Sequence, residues 1–176
     1  MLKRKLKVKE LVYAALLTAL ALMIPLVFGT YLRIYIPPFS ATLASHLPVF
    51  LSILISPFAA IFVGFGSALG FFLVTGPVIG ARAAIHILVG GAGALLIQKG
   101  YSFKLALFLI FPIHAIGEAL IVLPFGFSLA DAGIIVGIGT ALHHIADAFL
   151  AIAVYELLKA ASFDLKQEGI QKQISN

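Results

Sequence analysis

The chain has no cysteine and no tryptophan, and charge is scarce: Lys+Arg 12 and Asp+Glu 7, or 11% of 176 residues. Without cysteine there are no disulfides, no thiolate nucleophile and no thiolate metal centre, and the redox compartment is unreadable. An ordinary soluble domain is about 25% charged. At 62% hydrophobic and a mean hydropathy of +1.14, this chain could not cover a soluble surface with polar groups. The net charge of +5 does not signal nucleic acid, because the basic residues neither cluster on one face nor interleave with aromatics. They flank apolar segments instead. The reading is a polytopic membrane protein.

A helix crossing the hydrocarbon core needs about 20 apolar residues, with roughly 17–25 tolerated. Six segments meet this, some loosely: 10–29, 40–55, 57–75, 80–98, 103–125 and 129–159. The first follows MLKRKLKVKE and superficially resembles a signal peptide. Its apolar run is longer than most such segments and no small-x-small cleavage site follows, so a retained helix is expected. Ser56-Pro57 leaves almost no loop between the second and third segments, which predicts a tight hairpin. Pro57 suits a first helical turn. The expected fold is all-α, with six transmembrane helices in one domain over 1–160 and a polar cytoplasmic tail over 161–176.

Lys and Arg favour cytoplasmic loops. With six spans and a cytoplasmic N-terminus, ten of the twelve basic residues fall inside: Lys3, Arg4, Lys5, Lys7, Lys9, Lys99, Lys104, Lys159, Lys166 and Lys172. Only Arg33 and Arg82 fall outside. Both termini are therefore expected in the cytoplasm. Arg33, in an aromatic and proline-rich loop, has a simple place facing water or headgroups.

Ionisable residues within the spans mark a site, because charge is costly in hydrocarbon. Arg82 and His86 are four apart, on one helical face, just past the break at Gly76-Pro77-Val78-Ile79-Gly80. A guanidinium fork suits a carboxylate, and a helix N-terminus adds partial positive charge. The pair reads as an outward-opening anion receptor; the plainer alternative is an Arg82 that snorkels to the headgroups. Ser45 and His46, His114 and Glu118, and His143, His144 and Asp147 come from other spans at similar depth. His114/Glu118 and His143/Asp147 share faces at a spacing of four, so each carboxylate can orient an imidazole. His143 and His144 differ by about 100° around the helix, and spacing does not say which faces a ligand. Interhelical hydrogen bonding, about 0.6–2 kcal/mol in membranes, is the competing role for each.

Other chemistries find little support. No His-x-x-x-His or His-Glu-x-x-His occurs, so no metal or other cofactor is expected. Around Ser67, the glycines of Gly64-Phe65-Gly66-Ser67-Ala68-Leu69-Gly70 suit close helix packing better than a nucleophile loop, since a rhomboid-like Gly-x-Ser-Gly would place Gly directly after the Ser. There is no Walker-type Gly-x-x-x-x-Gly-Lys-[Ser/Thr], so the chain does not itself hydrolyse ATP.

Span one carries Ala15-Leu16-Leu17-Thr18-Ala19, whose Ala15 and Ala19 would admit a neighbouring helix closely. With six short-looped spans and an outward polar pocket, the chain over 8–160 resembles the substrate-binding S-components of energy-coupling-factor (ECF) vitamin transporters. The run from Pro37-Pro38-Phe39-Ser40 to Ala44-Ser45-His46-Leu47-Pro48, with Ile55-Ser56-Pro57 and Arg82-Ala83-Ala84-Ile85-His86, is similar to niacin-type members. The resemblance implies a binding protein in a prokaryotic plasma membrane, surrounded by lipid, and not an enzyme. It implies a small anionic vitamin, best matched by niacin, held by Arg82 and the histidines beneath the 29–40 loop and the 76–80 turn. It also implies docking through Ala15 and Ala19 to a transmembrane coupling subunit with two cytoplasmic ATPases. Absent tryptophan argues against thiamine. Pantothenate or another vitamin, a metal-dependent membrane enzyme, and a small channel or carrier are the alternatives.

Overall fold

The computed structural model describes the backbone of residues 8–174 and the side chains of 8–162. Its order is α1 (Val8–Leu32), β1 (Arg33–Ile36), β2 (Phe39–Thr42), α2 (Leu47–Ser52), α3 (Pro57–Thr75), α4 (Pro77–Gln98), α5 (Phe103–Ile121) and α6 (Gly139–Ile174). A 3-10 turn follows α5, and a π-helical stretch at Asp131–Ile138 leads into α6. Five helical segments among the described residues are long and apolar enough to cross a membrane. Large apolar side chains such as Leu16, Phe65, Phe72, Leu88, Phe108, Leu142 and Phe149 point outward. In water that surface would be untenable, whereas lipid covers it. The all-α polytopic fold is the one observed. Most of the tail expected at 161–176 lies outside the described side chains; its backbone continues α6 to Ile174.

The second crossing differs from the expected helix over 40–55. It is built from β2, a turn and the short α2. Helix geometry gives the reason. A Cβ on Gly66 would meet Thr18 and one on Gly70 would meet Leu22, so α3 runs parallel to α1 at a constant offset. Pro57 therefore starts near the level of Lys9. Leu43, whose N–H donates to the Leu32 carbonyl at 3.0 Å, starts at the far end of α1. From Lys9 to Leu32 a helix measures about 34 Å, but residues 43–57 wound as helix would reach only about 21 Å. The return has to be stretched. Non-helical backbone at membrane depth is tolerated only when buried in protein. Here Phe39, Ala41, Thr42, His46, Val49 and Phe50 are buried, and α2 packs on α1, α3, α4 and α6.

The antiparallel hairpin β1–β2 pairs Arg33 with Thr42 and Ile36 with Phe39, turning at a cis Pro37–Pro38 bond. β1 is exposed, while β2 is largely buried and turns inward. The α3–α4 hairpin turns at Gly76, whose φ of 96° is a conformation that costs glycine no Cβ clash. Ser56 Oγ caps α3 by accepting from Ala59 N–H at 3.1 Å. Along the α3–α4 interface a Cβ on Gly64 would lie 2.8 Å from the His86 backbone. That glycine lets α4 come close enough to seat His86 in the interior. Lys104 and Lys159 both reach Glu156, at 3.2 and 3.5 Å. The Lys9, Lys99, Lys104 and Lys159 ends thus share one face of the bundle, and Arg33 and Arg82 lie toward the other. This is the asymmetry that orients a membrane protein.

Candidate binding site

At the arginine end a cavity of about 280 Å³ opens between α1, the hairpin, α3, α4, α5 and α6. Arg33, Ser45, His46, Arg82, His86, Glu118 and His143 supply polar lining, and Phe71 supplies a carbocyclic ring. Of the nine residues expected at a binding site, six reach this surface: Ser45, His46, Arg82, His86, Glu118 and His143. The other three, His114, His144 and Asp147, stand directly behind it, fully buried. His143 is the member of the 143/144 pair that faces the cavity. His144 points to the opposite side, toward an apolar groove with Phe108, Phe111 and Phe149.

Arg82 and Glu118 form the centre of the site. Arg82 Nη2 and Nε donate to Glu118 Oε2 at 2.6 and 2.9 Å. Thr140 Oγ1 donates to the same oxygen at 2.7 Å. Arg82 Nη1 is more loosely held, 3.3 Å from the Ser40 carbonyl and 3.5 Å from that of Pro38. The guanidinium also sits over the Phe39 ring, 5.1 Å from its centroid. Phe39 is in turn pressed on Gly139, where a Cβ would come within 2.9 Å of the ring. Hairpin, α4, α5 and α6 thus meet on one guanidinium. Such a pair is strongly favoured once buried, because removing either partner strands the other charge.

A second centre holds the irregular crossing. Asp147 accepts from the backbone N–H of Ala44 at 2.7 Å and of His46 at 2.9 Å. His46 Nδ1 and His143 Nε2 both lie 3.1 Å from its Oδ2. His143 Nε2 also lies 3.0 Å from the Thr42 carbonyl. Both of its neighbours are acceptors, so His143 carries its proton on Nε2. Asp147 is therefore a positioning residue that fixes two cavity-lining histidines and the turn between them.

Sequence reasoning overlooked three contributors. Arg33 lines the cavity mouth, with Nε donating to Ser40 Oγ at 3.3 Å. Thr140 was one hydroxyl in an apolar span. Phe39 was one aromatic among several. Arg33 alone left a signal, as a second basic residue on the side where basic residues are disfavoured.

A charged, histidine-rich cavity at the arginine end of a bundle of membrane-crossing segments is the kind of site in which a membrane protein can hold a small solute. Comparison with characterised proteins gives its family. The chain is 32% identical over 175 aligned positions to the niacin transporter NiaX of Lactococcus lactis subsp. cremoris (strain MG1363), with 90% of this chain and 78% of that protein covered. It belongs to the niacin-transporter type of ECF S-components, the membrane subunits for vitamin uptake. No family model and no solved structure matches the chain.

Proposed function

We propose that the cavity binds niacin in its carboxylate form, captured from outside the cell. One observation carries this reading. Two guanidinium groups, Arg33 and Arg82, line a small cavity against one carboxylate, Glu118, and leave a positive excess at its mouth. Drug-sized ligands fill about 300–1,000 Å³, so about 280 Å³ suits a single-ring acid better than a long one such as pantothenate. The vitamin carboxylate lies between Arg33 and the loosely held Nη1 of Arg82. Its ring packs by Phe71, with the ring nitrogen toward His46 and His86 at the floor.

The chain acts as a binding subunit in the plasma membrane of a prokaryote, and the energy for uptake comes from partners. Ala15 and Ala19 lie on the exposed side of α1, while Ala14 and Thr18 face the protein. That exposed small-residue stripe suits docking of a transmembrane coupling subunit, which in turn couples to two cytoplasmic ATPases. Isothermal titration of the detergent-purified chain with nicotinate, nicotinamide and pantothenate tests the ligand. Nicotinate should bind most tightly. Equal affinity for nicotinamide, or a preference for pantothenate, would overturn the assignment.

A further inference from the structure

Behind the Arg82–Glu118 pair, hydrogen-bond directions leave two electron-pair donors facing one another. His144 Nε2 lies 3.1 Å from the Leu107 carbonyl, which can only accept, so Nε2 carries the proton. His144 packs between Phe50 and Phe111. With its one proton on Nε2, Nδ1 of His144 accepts, and His114 Nδ1, 2.9 Å away, donates to it. A singly protonated His114 then turns the lone pair of Nε2 toward the carboxylate oxygen Glu118 Oε1, 3.3 Å away. Glu118 has already committed Oε2 to Arg82 and Thr140. His86, only 6% exposed, has no hydrogen bond on either ring nitrogen, and its Nε2 lies 3.5 Å from the same Oε1. His46 completes the group, and all four donors fall within 4.8 Å of one another.

We propose that His46, His86, His114 and Glu118 bind one divalent transition-metal ion of the zinc type at the floor of the cavity. Imidazole and carboxylate are the ligand chemistry of such ions. A tetrahedral site with bonds of about 2.0–2.1 Å places its donors about 3.4 Å apart. The His114–Glu118 and His86–Glu118 separations of 3.3 and 3.5 Å already match. The His144–Leu107 relay is the outer support that fixes a ligating imidazole's tautomer. No pair of these histidines shares a metal-binding spacing in the chain, because each comes from a different element. Three of the four donors line the cavity, so the ion would present a Lewis acid to whatever enters. A pyridine nitrogen is a natural partner for it; that last link rests on the niacin reading, whereas the ion site does not.

The test uses metal alone, on full-length protein purified through a histidine-free tag and stripped with chelator. Titrated with Co2+, the wild type should bind one equivalent, develop the intense visible bands of tetrahedral cobalt and lose them on addition of Zn2+. His86→Gln and His114→Gln should abolish the bands. His144→Phe, outside the ligand set, should weaken metal binding about 10–100-fold. Gel filtration and melting curves of the metal-free variants separate loss of the site from loss of the fold. Absence of stoichiometric Co2+ binding by the wild type would overturn the site, as would nitrogen NMR showing His114 protonated on both nitrogens in metal-replete protein. Bands that persist in both glutamine variants would also overturn it, placing the ion at His46, His143 and Asp147 instead.

Discussion

Asp147 Oδ1 accepts the backbone N–H of Ala44 at 2.7 Å, across 103 residues of chain, and Ala44 has a left-handed φ of 70°. A non-glycine residue in that region costs roughly 1–2 kcal/mol. The turn is held because one buried carboxylate collects its N–H groups and its histidines together. The stretched second crossing and the cavity wall therefore depend on a single side chain of α6.

Asp147→Ala should lower the melting temperature sharply and weaken vitamin binding, because it strips two backbone N–H groups of their acceptor and removes the carboxylate that lies 3.1 Å from both His46 Nδ1 and His143 Nε2. The expected loss is about 3 kcal/mol or more, the scale for breaking a buried charged network. Ala44→Gly should instead raise stability by roughly 1 kcal/mol through relief of the left-handed strain. A thermal scan of both variants in detergent decides the matter; an Asp147→Ala protein as stable as wild type would contradict it.

Arg82→Ala should weaken binding of the acid by about 2–5 kcal/mol, the range for truncating one partner of a buried charge pair. Part of this loss is structural, since Glu118 is left unpaired. Adding Glu118→Gln should therefore restore the melting temperature but not the affinity. Arg82→Lys should recover only part of the binding, because a point charge lacks the guanidinium fork. If nicotinamide loses as much affinity as nicotinate in Arg82→Ala, the arginine is structural and the anion lies elsewhere.

Ala15→Leu and Ala19→Leu, on the outward side of α1, should abolish transport in cells and leave vitamin binding by the isolated chain nearly unchanged. Gly66→Leu, on α3 against Thr18, should damage the fold itself, since even a single added Cβ would sit 2.5 Å from the Thr18 methyl. Equal loss of binding and transport in the alanine variants would place α1's outer stripe in the fold core.

The native chain lacks cysteine, so single cysteines report topology directly. A cysteine at Thr75 or Phe127 should react with an impermeant maleimide on intact cells, and one at Ser102 should not. Strong external labelling at 102 would reverse the orientation or remove a crossing.

Much of this protein is written in its one-dimensional pattern. Long apolar runs have only one economical environment, and the placement of Lys9, Lys99, Lys104 and Lys159 against Arg33 and Arg82 orients them, because both effects depend on composition along the chain. Candidate site residues were legible for the same reason: an ionisable group in an apolar run is conspicuous. Tertiary structure decided what composition cannot encode. Residues 40–55 are apolar enough for a helix, yet packing beside α1 and α3 demands more length than a helix of that segment provides. Whether His143 or His144 faces the cavity depends on the rotation of α6, set by Asp147 reaching Ala44 and His46. That Arg82 meets Glu118 and Thr140, and that His46, His86 and His114 converge on the same carboxylate, follows from contacts between separate elements. Local spacing is blind to such contacts because hydrogen bonds are satisfied in space, between groups the chain brings together only when folded.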